Sequence, residues 1–444
     1  MFWDNVLFAS KMGNQLYLNG ILNWNIPDAI DPGHPPFLAT LMALGWKIFG
    51  KTLAVSHWLM LPFIFGLLWQ LHSFVAFFVK DKKLQIWGTL LVIADPTLLS
   101  QLVLVNPEVI QLFFFFTAIN ALLRNNIYLK VIALSFLGII TYRGMMLCAG
   151  VFFIEIVLHV FVNKKDAKSF FTKRMITGYL ISAIPAIIYI VWRLHTKGWI
   201  SSNPLEIWGN SWGFSSLSDF IRNFFWNVLV LGQRFIDFGR VFLLSFALTM
   251  LYRKRKSNEL EKIKPLIVIF FFSTIVIYTV SLLIINPLGH RYFIPSYVTL
   301  GLITFILLQQ FKIRKWLYSG FIISLLLGNF IVYSDDFAQG WDVSLAHLPY
   351  WGLRKNAIEY MDDNQIAIEE TASFFPNCTT IDNIDVNGDM RSFLNFSGKE
   401  EYVLYSNVYN LSDSEFKLLY QKYKQLKSFE KQNVRVELLK RNRY

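Results

Sequence analysis

Charge is scarce in this chain. Only 16% of its 444 residues are charged, against about a quarter in ordinary soluble domains, so water is not the main solvent of most of its surface. Cysteine is nearly absent. Cys148 and Cys378 cannot build a disulfide framework or a cysteine metal cluster by themselves, and two cysteines leave the redox compartment open. Acids are outnumbered, with 30 Asp and Glu against 42 Lys and Arg. There is no internal repeat, no low-complexity linker, and no signal peptide or span ahead of the opening Met-Phe-Trp-Asp.

What replaces charge is apolar surface. Hydrophobic residues make up 54% of the chain, aromatics 17%, and the mean hydropathy is +0.41. A bilayer core about 30 Å thick needs roughly 20 mostly apolar residues per helix. Windows near 53–79, 84–104, 107–123, 128–142, 144–162, 175–193, 223–250, 265–285, 292–309 and 317–333 meet that requirement. The chain therefore reads as an α-helical polytopic membrane protein with about 10 transmembrane helices. The pairs around Asn106-Pro107 and Arg143-Gly144 also read as single broken segments.

Every second connection is basic. Lys80, Lys82 and Lys83; Arg124 and Lys130; Lys164 to Arg174; Arg253 to Lys264; and Lys312 to Lys315 carry nineteen Lys and Arg against four acids. The surplus of fifteen exceeds the net +12 of the whole chain, so the basic balance is a statement of topology. These loops face the cytoplasm. A nucleic-acid surface is disfavoured because the cations flank spans rather than gather in one domain.

Three regions follow: an extracytoplasmic first loop at 1–52 with amphipathic interfacial helices, a transmembrane domain at 53–334, and a soluble extracytoplasmic α/β domain at 335–444. Both ends of the chain then lie outside, in a multi-pass protein of the cell membrane. With residues 1–52 outside and no span before them, a first transmembrane helix is expected upstream, without which nothing would hold residues 1–10. In the last region 353–361 and 416–426 read as amphipathic helices, the second opened by a Ser412-x-x-Glu415 capping box. Residues 402–409 and 434–439 read as strands. The sequons at Asn377, Asn395 and Asn410 matter only in a glycosylating pathway.

Polar groups at the outer ends of spans are the candidates for chemistry, since a charge in the hydrocarbon costs at least about 2.5–3.5 kcal/mol. The richest place is the first loop, with Asp4, Asp28 and the run Asp31-Pro-Gly-His34-Pro-Pro-Phe37. Two prolines after His34 start a helix there, and Trp46, Lys47 and Lys51 make that helix interfacial. A plain membrane-surface turn is the competing reading. Asp95, before Pro96, and Glu108, in a first helical turn, read as helix-end acids suited to the dipole. His57, His72 and His159 lack partners at ligand spacing, and no metal site or other cofactor is specified.

Asp4 in an outer loop, Asp31-Pro-Gly-His-Pro-Pro-Phe37, Trp46-Lys-Ile-Phe-Gly50 and a later Gly289-His-Arg-Tyr-Phe-Ile-Pro295 occur together in this order. That order resembles the GT-C glycosyltransferases, in particular the dolichyl-phosphate-mannose protein mannosyltransferase and aminoarabinose lipid A transferase superfamily. The resemblance spans about residues 1–335 by topology. It departs from the family where Asn5 follows Asp4 in place of a second acid, and in the absent first helix. It implies transfer of a sugar from a polyprenyl-phosphate donor to a protein or glycolipid acceptor on the extracytoplasmic face, with inversion. The catalytic set carried over is Asp4, Asp31 and His34, with Asp4 as base. The donor phosphate falls to Arg291, with Arg143, His290 and Tyr292, because arginine offers phosphate a fixed fork of donors. Arg291 also reads as an interfacial anchor beside Tyr292, and Arg143 as a connection residue. The alternative function is a transporter or flippase of a lipid-linked or small solute; a membrane-anchored scaffold is a third. Membrane lipids are expected partners and nucleic acid is not.

Overall fold

A computed structural model describes residues 1–201, 216–282, 288–311, 315–334, 337 and 339–442. The end of the expected 265–285 span, and Lys312 and Arg314 of the last basic loop, lie outside the described residues. The chain divides into two compact units, one of Met1–Asn23, Ala39–Leu59 and Phe330–Tyr444, the other of Trp24–Leu38 and Met60–Asn329. This differs from the division at 52 and 334. The first segment belongs with the C-terminal domain, for reasons visible in its side chains.

In the first unit, Val6, Ala9, Met12 and Leu16 recur at helical spacing and are all buried, along the turns Val6–Lys11 and Met12–Asn19. Their polar side is tied to the short helix Ile381–Asp385, where Asn14 Nδ2 donates to Asn383 Oδ1 at 2.9 Å and Ser10 Oγ donates to the Asn383 carbonyl. Phe2 stacks on His347 with ring centroids 4.5 Å apart, and Lys51 pairs with Asp382. Residues 1–10 are thus tied into the first unit by these contacts. Trp46 is buried and donates to Ser56 Oγ at 2.9 Å, so it is a packing residue, while Lys47, Ile48 and Phe49 beside it are exposed.

The C-terminal part carries a five-stranded sheet of order β2-β1-β3-β5-β4, with β1 Thr371–Ser373, β2 Leu394–Asn395, β3 Tyr402–Ser406, β4 Tyr423–Lys431 and β5 Val434–Arg441. β1 runs parallel to β2 and β3, whereas β5 is antiparallel to β3 and β4. Helix Tyr350–Asp363 buries Leu353, Ala357 and Met361. On the same helix Arg354 is buried, bonded to Asp385 at 2.6 Å and to Asn377 at 2.7 Å. That use of Asn377, wholly buried, removes its sequon from the surface. The Ser412–Glu415 capping box forms, but its helix stops at Lys422. Residues 423–426 are strand, because β4 pairs with β5 along its length. As a mostly exposed edge carrying Lys424, Lys427 and Lys431 it shows little apolar alternation to read.

The second unit is helical. Five helices are long and apolar enough to cross a membrane: Leu53–Phe78, Tyr142–Val162, Lys173–Lys197, Leu260–Ser281 and His290–Gln310. Two bent pairs raise this to seven at most, and ten spans are not seen among the described residues. The expected 84–104 span is two helices, Lys82–Ile93 and Pro96–Leu102, because Asp95 caps the second by accepting from Thr97 N and Leu98 N at 3.0 and 3.2 Å. Pro96–Leu102 then meets Pro107–Leu123 at 114°. The expected 223–250 span breaks at Gly239, leaving Leu217–Ile236 and Arg240–Arg253 at 96°. Gly239 has φ 84°, and a Cβ there would lie 2.1 Å from the Ser324 carbonyl oxygen. The connection expected at Arg143-Gly144 falls at Thr141, which caps helix Tyr142–Val157 and so puts Arg143 in its first turn.

One helix is central. The apolar window of His290–Gln310 is 89% buried, that of Lys173–Lys197 only 17%. On the latter, Leu180, Ile184, Ile187, Ile188 and Val191 are all exposed.

Candidate functional site

At the helix ends away from the lysine-rich connections, the second unit gathers several of the expected residues. Asp31 lies in the loop before helix Phe37–Phe49, where Gly33 has φ 86° and its N–H donates to Asp31 Oδ1 at 2.9 Å. A Cβ on Gly33 would come within 2.6 Å of the Ser201 carbonyl oxygen, so the Pro-Gly of the motif is required by close backbone approach. Asp31 is wholly buried and receives Arg193 Nη2 at 3.0 Å. Arg193 in turn donates to the Tyr189 hydroxyl and the Ile200 carbonyl, both at 2.7 Å, and lies 4.2 Å from the Trp199 ring centroid. Asp28 next to it pairs with Lys197 at 2.7 Å.

His34 stands over Tyr142, with ring centroids 5.4 Å apart, and its Nδ1 accepts the Tyr142 N–H at 3.5 Å. Removal from water pushes its pKa down from 6.5 to about 3, and the charges of Arg143, Arg193 and Arg291 push the same way. His34 is therefore neutral at physiological pH.

The third element is a shared carboxylate. Glu108, in the first turn of Pro107–Leu123, accepts Arg143 Nη2 at 2.8 Å on Oε1, and the same oxygen forms an ion pair with Arg291 Nε at 3.3 Å. The Arg143 guanidinium lies 4.0 Å from the centroid of the Tyr292 ring. Its Nε is buried and has no hydrogen-bond acceptor among the described residues. Glu108 is a helix-end acid as expected, and also the anion that sets two arginines side by side.

Asp31, His34, Arg143, Arg291 and Tyr292 are thus brought into one unit around common partners. His290 is not part of this arrangement: it is buried, with Nε2 3.1 Å from Asp237 Oδ2 and its ring edge-on to Phe238, so it fixes the turn that carries Arg291. Asp4 belongs to the first unit. It is half-buried, and its carbonyl accepts the Leu7 and Phe8 N–H groups at 2.9 and 3.0 Å. Sequence reasoning missed Arg193 and Lys197. The signal was there, since a buried arginine near the end of an apolar helix is a functional candidate by default. Asp95 proves to be more than a cap, because Arg240 binds it through Nε at 2.7 Å and Nη2 at 2.8 Å. Neither a protein-family model, nor a curated protein, nor a solved structure matches the chain.

Proposed function

We propose that this chain is a membrane glycosyltransferase that moves a sugar from a polyprenyl-phosphate donor to an acceptor on the extracytoplasmic face, with inversion at the anomeric carbon. The observation that carries the reading is the gathering of Arg143, Arg193 and Arg291 around His34, with Arg143 and Arg291 meeting one oxygen of Glu108. Burial first and the three arginines second keep His34 neutral, so it adds no charge of its own to the group. A phosphate diester fits it by charge and by donor geometry, with the unmatched Arg143 Nε as a ready donor.

Membrane insertion is supported by the exposed aliphatic faces, which would be costly in water at roughly 25 cal/mol per Å², and by the alternation of basic loops. Orientation with both ends outside puts the arginine group at the outer ends of the helices.

In the reaction, the acceptor hydroxyl or amine attacks the anomeric carbon as the bond from that carbon to the phosphate oxygen breaks. The polyprenyl phosphate leaves as an anion and needs no proton, so one carboxylate to take the acceptor's proton is sufficient. The resemblance implies Asp4 as that base. The arginines hold the departing phosphate, and the neutral His34 serves as a hydrogen-bonding group rather than a cation.

The test is release of sugar from a polyprenyl-phosphate sugar by purified full-length protein. Asp4→Asn is expected to keep donor binding and lower turnover by about 10²–10⁴-fold; unchanged turnover would move the base elsewhere. A reporter fused after Lys83, Lys165 or Arg255 is expected in the cytoplasm, and one there on the outside would remove the site from the outer face.

The two sharply bent helix pairs favour a second reading, transport of a lipid-linked solute, since transporters place discontinuous helices at their sites. Solute uptake into proteoliposomes without sugar release would select it.

A further inference from the structure

At the opposite ends of the second unit's helices lies a cavity of about 420 Å³, within the range of roughly 300–1,000 Å³ of small-molecule sites. Five helix ends meet around it: those at Phe77, Leu123, Val162, Thr172 and Pro265. Its polar lining includes Asn125, His159, Asn163, Lys165 and Ser169, while Leu122, Leu158, Phe170 and Met175 form an apolar wall. One acid, Glu155, also lines it, but that charge is already met. Lys130 Nζ lies 2.7 and 2.5 Å from its two oxygens, and the Tyr179 hydroxyl donates at 2.5 Å. Lys165, by contrast, is exposed and makes no ion pair among the described residues. His159 Nε2 is 2.8 Å from Ser169 Oγ, which ties the loop over the cavity back to its helix.

We propose that this cavity seats the phosphate headgroup of an anionic membrane lipid, with Lys165 and His159 toward the phosphate and an acyl chain along the Leu122 and Leu158 wall. An opening between helix ends that combines polar and cationic groups with apolar ones matches an amphiphile better than a free ion. Lys164 and Lys168 are exposed on the same loop, and Lys173 and Arg174 are exposed at the start of the helix that follows it, so the local potential concentrates anionic lipid there. The inference rests on the membrane placement with basic loops inside, not on sugar transfer, and its test needs no activity.

Purified full-length protein in neutral detergent is titrated with dioctanoyl phosphatidylglycerol, dioctanoyl phosphatidylcholine or inorganic phosphate, and unfolding temperature is followed. Phosphatidylglycerol is expected to raise it saturably. Lys165→Glu should weaken the half-saturating concentration by about tenfold, and Val162→Trp, which fills the cavity, should remove the response. Lys83→Glu, exposed on another basic loop, should change it less than about twofold. Since Lys165 is exposed, its variant carries the test even where Val162→Trp does not fold. An equal shift with phosphatidylcholine, or equal loss in Lys83→Glu, overturns the proposal. An equal shift with inorganic phosphate alone assigns the site to a free anion and overturns the lipid.

Discussion

Two groups of arginine, one buried and one half-buried, occupy the second unit and are put together differently. Arg240 meets Asp95 through two nitrogens, donates to Thr97 as well, and lies 3.8 Å from the Tyr297 ring centroid. Arg143 and Arg291 instead divide a single oxygen of Glu108, at 2.8 and 3.3 Å. One cation per anion, in fork geometry and out of water, joins the start of Pro96–Leu102 to the start of Arg240–Arg253. At Glu108 it is the buried Arg143 Nε that has no acceptor among the described residues. On the proposed reading, the difference separates a structural lock from a place for an anion, although both consist of arginine and carboxylate.

The comparison breaks first at the lock. Arg240→Ala leaves Asp95 charged and buried, and is expected to cost about 3–5 kcal/mol of stability, read as denaturant unfolding in detergent. Coupling Arg240→Leu to Asp95→Asn should recover most of that loss, because asparagine still caps the helix and carries no charge. Stability unchanged in Arg240→Ala would erase the distinction between the two groups.

At the shared carboxylate the expected change is in binding rather than in folding. Arg291→Ala should unfold as the parent does within about 1 kcal/mol, while donor binding falls about 10–100-fold, as loss of a charged hydrogen bond implies. Titration with a polyprenyl-phosphate sugar measures it. Arg291→Lys should fall between alanine and parent, since lysine keeps the charge and loses the fork.

The smallest effect concerns pH. His34 has a folded-state pKa near 3 against 6.5 when exposed, so the unfolded chain takes up a proton that the folded chain refuses. Its contribution to stability is complete above pH 6.5 and is lost as pH falls toward 3. Unfolding temperature should drop between pH 7 and pH 5 in the parent, and drop less in His34→Gln. An equal drop in both would show that burial and the neighbouring arginines do not hold the His34 pKa down.

Much of this was legible in the residues. The apolar windows pointed to long helices because hydropathy is a local property, and Ser412 with Glu415 announced a helix start for the same reason. The run Asp31-Pro-Gly-His34 was marked by its composition, and the structure does place it with Arg143 and Arg291. The span count was less legible, since a hydropathy window does not register a cap such as Asp95 or a left-handed glycine such as Gly239 inside an apolar stretch. β4 was hidden as well: its partner β5 supplies its conformation, and its own side chains face outward.

By itself, then, the order of amino acids determined the helical character, the alternation of basic connections, and which polar residues stand at helix ends, all of which depend on neighbours a few positions away. Only the tertiary structure decided that residues 1–23 belong with the C-terminal sheet, that His290 turns to Asp237 while Arg291 turns to Glu108, and that Arg193 holds Asp31. Those pairings join residues 53 to 383 positions apart, and a buried charge selects whichever opposite charge the packed helices bring within about 3 Å, a choice that sequence distance does not encode.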